Sequence, residues 1–246
     1  MSGRIRVGIG GWVYDDWRSN FYPAGLRQKD ELAYVGQHLT ATEINATYYS
    51  SQKPATFASW AKAVPDGFQF AVKASRYATN RRILAEAGES IAKFTGQGIA
   101  ELGDRLGPIL WQFMATKTFD PDDFGAFLQM LPARVDGVPL RHAVEVRHDS
   151  FDDPAFLAMA RDAGAAVVFA DHETYPAIMG HDVGFTYQRL MRTQEDEPTG
   201  YRAAAIADWA TRASSAVKQG DVFSFFIGGA KARNPAAALA MMAALR

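Results

Sequence analysis

Short runs of consecutive apolar residues recur along the chain, and between them apolar side chains return at the three-and-four spacing of an amphipathic helix. The runs predict eight strands, at 5–10, 41–46, 68–74, 108–113, 142–146, 166–170, 184–190 and 222–227. Helices are expected between most of them. One spans 30–38; a second enters at Pro54 and carries Phe57 and Trp60 with Ala61 beside them; a third covers 89–102. A fourth starts at Asp120 or Pro121 and lines up Phe124, Phe127, Leu128 and Leu131, and the last two cover 203–218 and 235–245. In DSFDDPAFLAMARDAG, Asp152 or Asp153 can cap a helix, Pro154 can take its first turn, and Gly164 can close it. The polar stretch 191–202, MRTQEDEPTGYR, reads as a long loop or lid.

Strands alternating with helices imply a parallel sheet, and eight such units in 246 residues favour a single (β/α)₈ barrel domain spanning 1–246. An open doubly wound sheet predicts a phosphate-binding glycine loop after the first strand. GIGGW does not supply it, because Val13 stands where the last glycine is required, and the chain has no P-loop and no G-x-S-x-G elbow.

The apolar runs are broken in a repeated place. Glu43 in TATEINA, Lys73 in FQFAVKA, Glu145 and Arg147 in HAVEVRH, Asp171 in AVVFAD and Arg189 in FTYQRL all fall near the C-terminal end of their strands, and IRVGIGGW delivers Trp12. Parallel strands covered on both faces are almost wholly apolar, so a charge there needs a polar setting, which the C-terminal mouth of a barrel provides. With a side-chain period of two, Glu43 and Asn45 share one face, as do Glu145 and Arg147, while Ile44, Val144 and Val146 take the other. Apolar sets suit the helix layer, so the polar sets point inward.

That ring supports two accounts, which can coexist: a buried salt-bridge network holding the mouth, and a pocket that binds a polar or anionic small molecule and performs acid/base chemistry. The candidate catalytic groups are Glu145, Lys73, Glu43 and Asp171. Glu145 beside a fixed guanidinium stays ionised and suits an orienting or basic role. Lys73 among apolar neighbours could serve as a base or Schiff-base amine, with an ion pair to Glu43 or Glu145 as the ordinary alternative. Asp171 could orient Lys73 or Arg189. The candidate binding groups are Arg147, Arg189, Asn45, Gln112 at the end of the fourth strand, Trp12 and Tyr14; Arg147 could grip a carboxylate or phosphate bidentately. Trp17, Phe21, Tyr22, Tyr48 and Tyr49 join Trp12 and Tyr14 in an aromatic set that either stacks on a sugar-like ligand or packs a loop over the barrel top.

Composition narrows the partners. Net charge is −1, from 26 basic and 27 acidic residues, which gives no general drive toward nucleic acid or an anionic membrane. The basic run Lys73, Arg76, Arg81 and Arg82 lacks interleaved aromatics and reads as a solvated loop face. Without cysteine there are no disulfides, thiolate ligands or thiol nucleophile. Histidine is scarce, with only His38, His142, His148, His172 and His181, and period two turns His148 and His172 away from Glu145 and Asp171; no metal or cofactor is expected. MSGRIRVGIGG lacks the apolar run of a secretory signal, and no stretch reaches the length of a membrane span, so the expectation is a cytoplasmic protein. Oligomeric state is left open.

Six segments in order, GIGGWVYDDW with FYP, TEINATYY, FQFAVKASR, RLGPILWQF and AVEVRHDSF, resemble the YecE-like family, domain of unknown function 72, over roughly residues 6–240. The resemblance implies a TIM-barrel-like fold and carries no catalytic role. Three departures mark a divergent member: FMATKTF replaces a Leu-Pro-Pro after the fourth strand, RLMR lacks the histidine of an Arg-x-His-Gly, and FIGGAKARN replaces a Phe-Asn-Asn ending. The expectation is a cofactor-independent enzyme acting on a small anionic or sugar-like substrate. A non-catalytic binding or scaffold protein is the alternative, followed by metal-assisted phosphodiester hydrolysis on nucleic acid.

Overall fold

The computed structural model describes residues 3–180 and 183–246; His181 lies outside the described residues. In chain order the barrel elements are β1 (Ile5–Gly10), α1 (Glu31–His38), β2 (Ala41–Ile44), α2 (Pro54–Ala63), β3 (Gln69–Lys73), α3 (Gly88–Thr95), β4 (Leu106–Gln112), α4 (Pro121–Gln129), β5 (His142–Glu145) and α5 (Pro154–Asp162). They continue as β6 (Ala165–Val167), β7 (Phe169–Asp171), β8 (Phe185–Leu190), α6 (Ala203–Ala216), β9 (Asp221–Phe226) and α7 (Asn234–Ala244). Asp120 and Asp153 cap α4 and α5 through their carboxylates, each followed by proline in the first turn.

The strands lie side by side in the order β6, β5, β4, β3, β2, β1, β9, β8, β7, and each neighbouring pair is parallel. The two ends of that order are halves of the strand expected at 166–170. β6 pairs with β5, β7 pairs with β8, and Val168 between them donates its N–H to the Val144 carbonyl at 2.9 Å. The sheet therefore wraps into an almost closed α/β barrel with one parted strand. Among the described residues no helix follows β7 before β8 begins.

Alternation divides the interior into two cores. Val7, Ile9, Ile44, Val72, Ile109, Trp111 and Val144 face outward and pack with Val35, Phe57, Phe94, Phe127, Phe156 and Met241 from the helices and their connections. Burying each such side chain contributes about 1.5–3 kcal/mol. Inside the barrel, Ala41, Ala71, Ala143 and Ala166 from β2, β3, β5 and β6 stand with Phe185, Tyr187, Phe223 and Phe225 from β8 and β9. Small side chains on one wall leave room for rings from the other, as a filled barrel core requires. The N-terminal end is closed by Asp221, which holds Arg6 at 3.2 Å and Arg141 at 2.9 Å.

Two expected elements end early. β2 stops at Ile44, because a helical turn, Ala46–Tyr49, begins directly after Asn45. α3 stops at Thr95, and the rest of the expected helix is a 3₁₀ segment, Ile99–Arg105, entered at Gly98 with φ 106°. The stretch 191–202 is a loop, closed by the Gln194 N–H on the Gly200 carbonyl at 2.7 Å. Among the described residues no helix is long and apolar enough to cross a membrane.

Gly8 sets how closely β1 and β2 approach. A Cβ at that position would lie 2.2 Å from the Ala41 carbonyl oxygen and 3.1 Å from the Phe225 ring. Gly8→Ala is expected to destabilise by more than about 4 kcal/mol, because backbone rather than a flexible side chain blocks the methyl. Urea unfolding within about 1 kcal/mol of the parent would show that the barrel relaxes more easily than its packing implies.

Candidate functional site

Three strands deliver the central charges. Glu43 lies near the end of β2 in register with Gly10, which the Ile227 side chain covers, and with Ala71, and Arg189 of β8 reaches it from across the barrel. Its Nε and Nη2 donate to the two Glu43 oxygens, each at 3.1 Å, and its Nη1 donates to Glu145 Oε2 at 2.7 Å. Tyr187, two residues earlier on the same face, donates its hydroxyl to Glu43 Oε2 at 2.7 Å. Gln112 stands alongside Glu145 in the β4–β5 register, and its amide donates to both Glu145 oxygens at 3.1 and 3.0 Å. Arg147 completes the set, with Nε on Glu145 Oε1 at 2.7 Å and its guanidinium 4.5 Å from the Tyr175 ring.

Both carboxylates have no exposed surface, and each of their oxygens accepts at least one hydrogen bond. For Glu145, burial pushes the carboxyl up, but the nearby Arg189 and Arg147 and the Gln112 hydrogen bonds outweigh it and bring its pKa to about 2. Tyr187 is driven well above its ordinary value, first by burial and then by Glu43, so it remains a donor.

Lys73 stands apart. Its ammonium lies 4.2 Å from the Tyr48 ring centroid, and among the described residues no carboxylate reaches it at ion-pair distance. Burial lowers its pKa most, Arg189 and Arg147 lower it further, and Glu43 and Glu145 offset only part, leaving it at about 8. The ion pair to Glu43 or Glu145 that the sequence allowed does not form, because the arginines already occupy both carboxylates.

Above this layer is a cavity of about 380 Å³. Lys73, Arg147, Arg189 and Lys231 line it, together with Asn45, Gln112 and Asn234 and the rings of Tyr14, Trp17 and Tyr49; no aspartate or glutamate does. Lys231 follows β9, and its backbone carbonyl accepts the Trp17 indole N–H at 2.8 Å, so the loop after β1 fixes the loop after β9.

The expected site residues thus divide. Lys73, Arg147, Arg189, Asn45, Gln112 and Tyr14 border one cavity, with Glu43 and Glu145 directly beneath. Asp171 and Trp12 do not join them. Ala166 and Val168 belong to the inner core, so the odd-numbered Asp171 turns outward, where it accepts from Tyr201 at 2.7 Å and lines a separate recess with Arg192 and Trp209. It orients neither Lys73 nor Arg189. Trp12 should face inward by the phase of Gly8 and Gly10, but Gly11 at φ 74° reverses it, and the indole packs edge-on to Trp60 and Phe70 in the helix layer. His148 bonds the Ser150 hydroxyl and His172 stacks on Tyr175. Among the described residues no group of three or more His, Asp or Glu side chains is placed to hold a metal ion.

Four participants escape the strand-end pattern. Tyr187 carries a signal, since it shares the phase of Arg189, and Lys231 is a cation close behind the last strand, the position where the other charges gather. Tyr175 and Asn234 sit where only the folded loops bring them in.

Fold and site together define an α/β barrel protein with a charged C-terminal mouth. The family profile described as Protein of unknown function DUF72 matches residues 6–246, and the chain belongs to that family. A DUF72 family protein from Enterococcus faecalis V583 superposes with a TM-score of 0.74 at 20% identity, over 99% of this chain and 98% of that one. A DUF72 family protein from Thermotoga maritima MSB8 gives the same score and identity over 97% of each chain. The UPF0759 protein YunF of Bacillus subtilis strain 168 is 31% identical over 70 residues, which span 28% of this chain and 24% of that protein. At such identities the solved structures speak for the fold alone.

The two ends of the charge chain should respond differently to mutation. Glu145→Gln sets an amide against three donors and leaves buried Arg189 with one carboxylate, an expected loss of about 3–5 kcal/mol. Arg147→Ala leaves Glu145 paired to Arg189 and is expected to cost about 1 kcal/mol. Equal losses in urea unfolding would refute this asymmetry. Because the folded pKa of Glu145 lies below its ordinary 4.5, its contribution is complete above that pH and is lost as pH falls through about 2. The acid limb of the stability curve should therefore be shallower in Glu145→Gln.

Proposed function

We propose that the protein binds a small organic anion, a carboxylate or a phosphate ester on a compact or sugar-like body, in the barrel mouth and acts on it without a resident cofactor. One observation carries this reading: four cations and no carboxylate line a cavity of about 380 Å³, although the chain as a whole is slightly acidic. A recessed cationic surface beside low-dielectric walls concentrates anions. The volume fits a metabolite-sized molecule, within the usual range for small-ligand sites.

The lining divides the work. Arg147 is held by Glu145 through Nε and gives Nη1 to the Tyr175 hydroxyl at 3.3 Å, which leaves Nη2 to take a carboxylate or phosphate oxygen. Lys231 supplies a second charge from the opposite loop, and Asn45, Gln112 and Asn234 offer polar atoms for orientation. Tyr14, Trp17 and Tyr49 give the apolar wall that a carbon skeleton or sugar face requires. Glu43 and Glu145 hold the cations in place; a carboxyl near pKa 2 is a poor proton carrier at neutral pH. Lys73, at the end of β3 and free of any carboxylate partner among the described residues, is the reacting group in this reading, its pKa lowered to about 8 chiefly by burial.

Thermal unfolding at low ionic strength tests the binding. Inorganic phosphate and glucose 6-phosphate are expected to stabilise the parent, and glucose alone is not. A ligand at about 100 times its Kd should add about 2.7 kcal/mol. Arg147→Ala and Lys231→Ala should each lose most of that stabilisation while folding normally, and added salt should weaken it in the parent. Unchanged stabilisation in both variants would move the anion site elsewhere.

A further inference from the structure

We infer that Lys73 condenses with a carbonyl group of the bound anion to form an imine at Nζ, so that the substrate class is a small oxo compound carrying a carboxylate or phosphate. This rests on the anion-binding reading above and adds the covalent step and the functional group that takes it.

The placement of the amine carries the inference. Lys73 ends β3 with its backbone fixed: it pairs beside Leu110, and its carbonyl accepts the Thr47 hydroxyl at 2.7 Å. Its Nζ reaches the same cavity as Arg147 and Lys231, the groups placed to hold an anionic end. A lysine kept for charge balance would take a carboxylate, yet both carboxylates beneath it are saturated by Arg189, Arg147, Gln112 and Tyr187. The Tyr48 ring is its partner instead, and the Tyr48 hydroxyl is held by the Asn80 amide at 3.0 Å.

That ring suits both ends of the reaction. The ammonium and the protonated imine each carry one positive charge at the same nitrogen, so a cation–π contact that holds the first also holds the second. The step balances without a co-reactant. The neutral Nζ attacks the carbonyl carbon, and the carbonyl π electrons pass to oxygen. The oxygen takes one proton from the attacking amine and the one that solvent removed from the ammonium, and it leaves as water. The nitrogen lone pair closes the C=N bond with one N–H retained, so the product is the protonated imine. Nothing is oxidised or reduced. A pKa near 8 leaves a usable fraction of free amine at neutral pH, which an ordinary lysine does not have.

Reductive trapping tests this on the full-length protein. Glyoxylate with sodium cyanoborohydride near pH 7 should add one carboxymethyl group at Lys73, read by peptide mapping, about tenfold faster than at the exposed Lys53. Inorganic phosphate should compete. Arg147→Ala should slow trapping of anionic glyoxylate at Lys73 about tenfold more than it slows trapping of uncharged acetaldehyde there, the smaller common loss reflecting the Lys73 pKa that Arg147 helps to lower. Lys73→Arg should fold and bind phosphate but carry no adduct in the barrel; should it fail to fold, the map on the parent alone decides. Labelling spread evenly over the lysines, or an unmodified Lys73 in protein that phosphate still stabilises, overturns the imine and leaves the anion site standing. Absence of both phosphate stabilisation and Lys73 labelling overturns the two together.

Discussion

A single guanidinium inside a barrel needs two carboxylates to hold it, and the mouth of this molecule is arranged around that need. Arg189 reaches from β8 to Glu43 on β2 and Glu145 on β5. A buried charge left without its partner costs several kcal/mol, so the three strands are held at fixed separation by their shared electrostatics as well as by backbone ladders. The same pairing determines what remains above it. With both carboxylates taken by arginines, Lys73 has an aromatic face for a partner, and the charged groups that line the cavity are all cations.

The packing inside the barrel makes this geometry available. Alanines on β2, β3, β5 and β6 face rings on β8 and β9, so the aromatic wall extends across the barrel at mid-height. At the mouth, Arg189 crosses from β8 to reach Glu43 and Glu145. Asp221 repeats the principle at the other end, where one carboxylate holds Arg6 and Arg141. The two ends differ in access. The upper carboxylates are fully buried beneath a cavity edged by loops, whereas below Arg141 and Asp221 keep 30% and 24% of their side-chain surface exposed. In barrels of this kind chemistry belongs to the upper face and stability to the lower.

Strand alternation alone puts Glu43, Lys73, Glu145 and Arg189 on the inner face, and they are there, so the core of the site is legible in the amino-acid sequence. The pattern fails where the phase changes or is not followed. Gly11 in a left-handed conformation turns Trp12 into the helix layer, and counting from Ala166 and Val168 sends Asp171 outward. Which cation takes which carboxylate is beyond a one-dimensional pattern, because it depends on reach across the barrel: Arg189 is long enough to bridge two strands, and Lys73 loses its expected partners to it. Loop residues such as Tyr175 and Asn234 have no periodic signal at all. The early end of α3 has one, since Gly96 and Gly98 interrupt the expected helix.

The seam between the first and last strands bears on how the molecule is made. β1 finds one neighbour in β2, about thirty residues on, but its other edge pairs with β9, Ile5 opposite Val222 and Ile9 opposite Phe226. Until β9 has left the ribosome, that edge has no partner, and α7, which packs across β1 and β9, emerges later still. Such distant pairing slows folding and leaves an apolar strand edge open to other chains in the meantime. A ribosome stalled before β9 has emerged would therefore present an open sheet rather than a smaller barrel, a substrate for holdase chaperones.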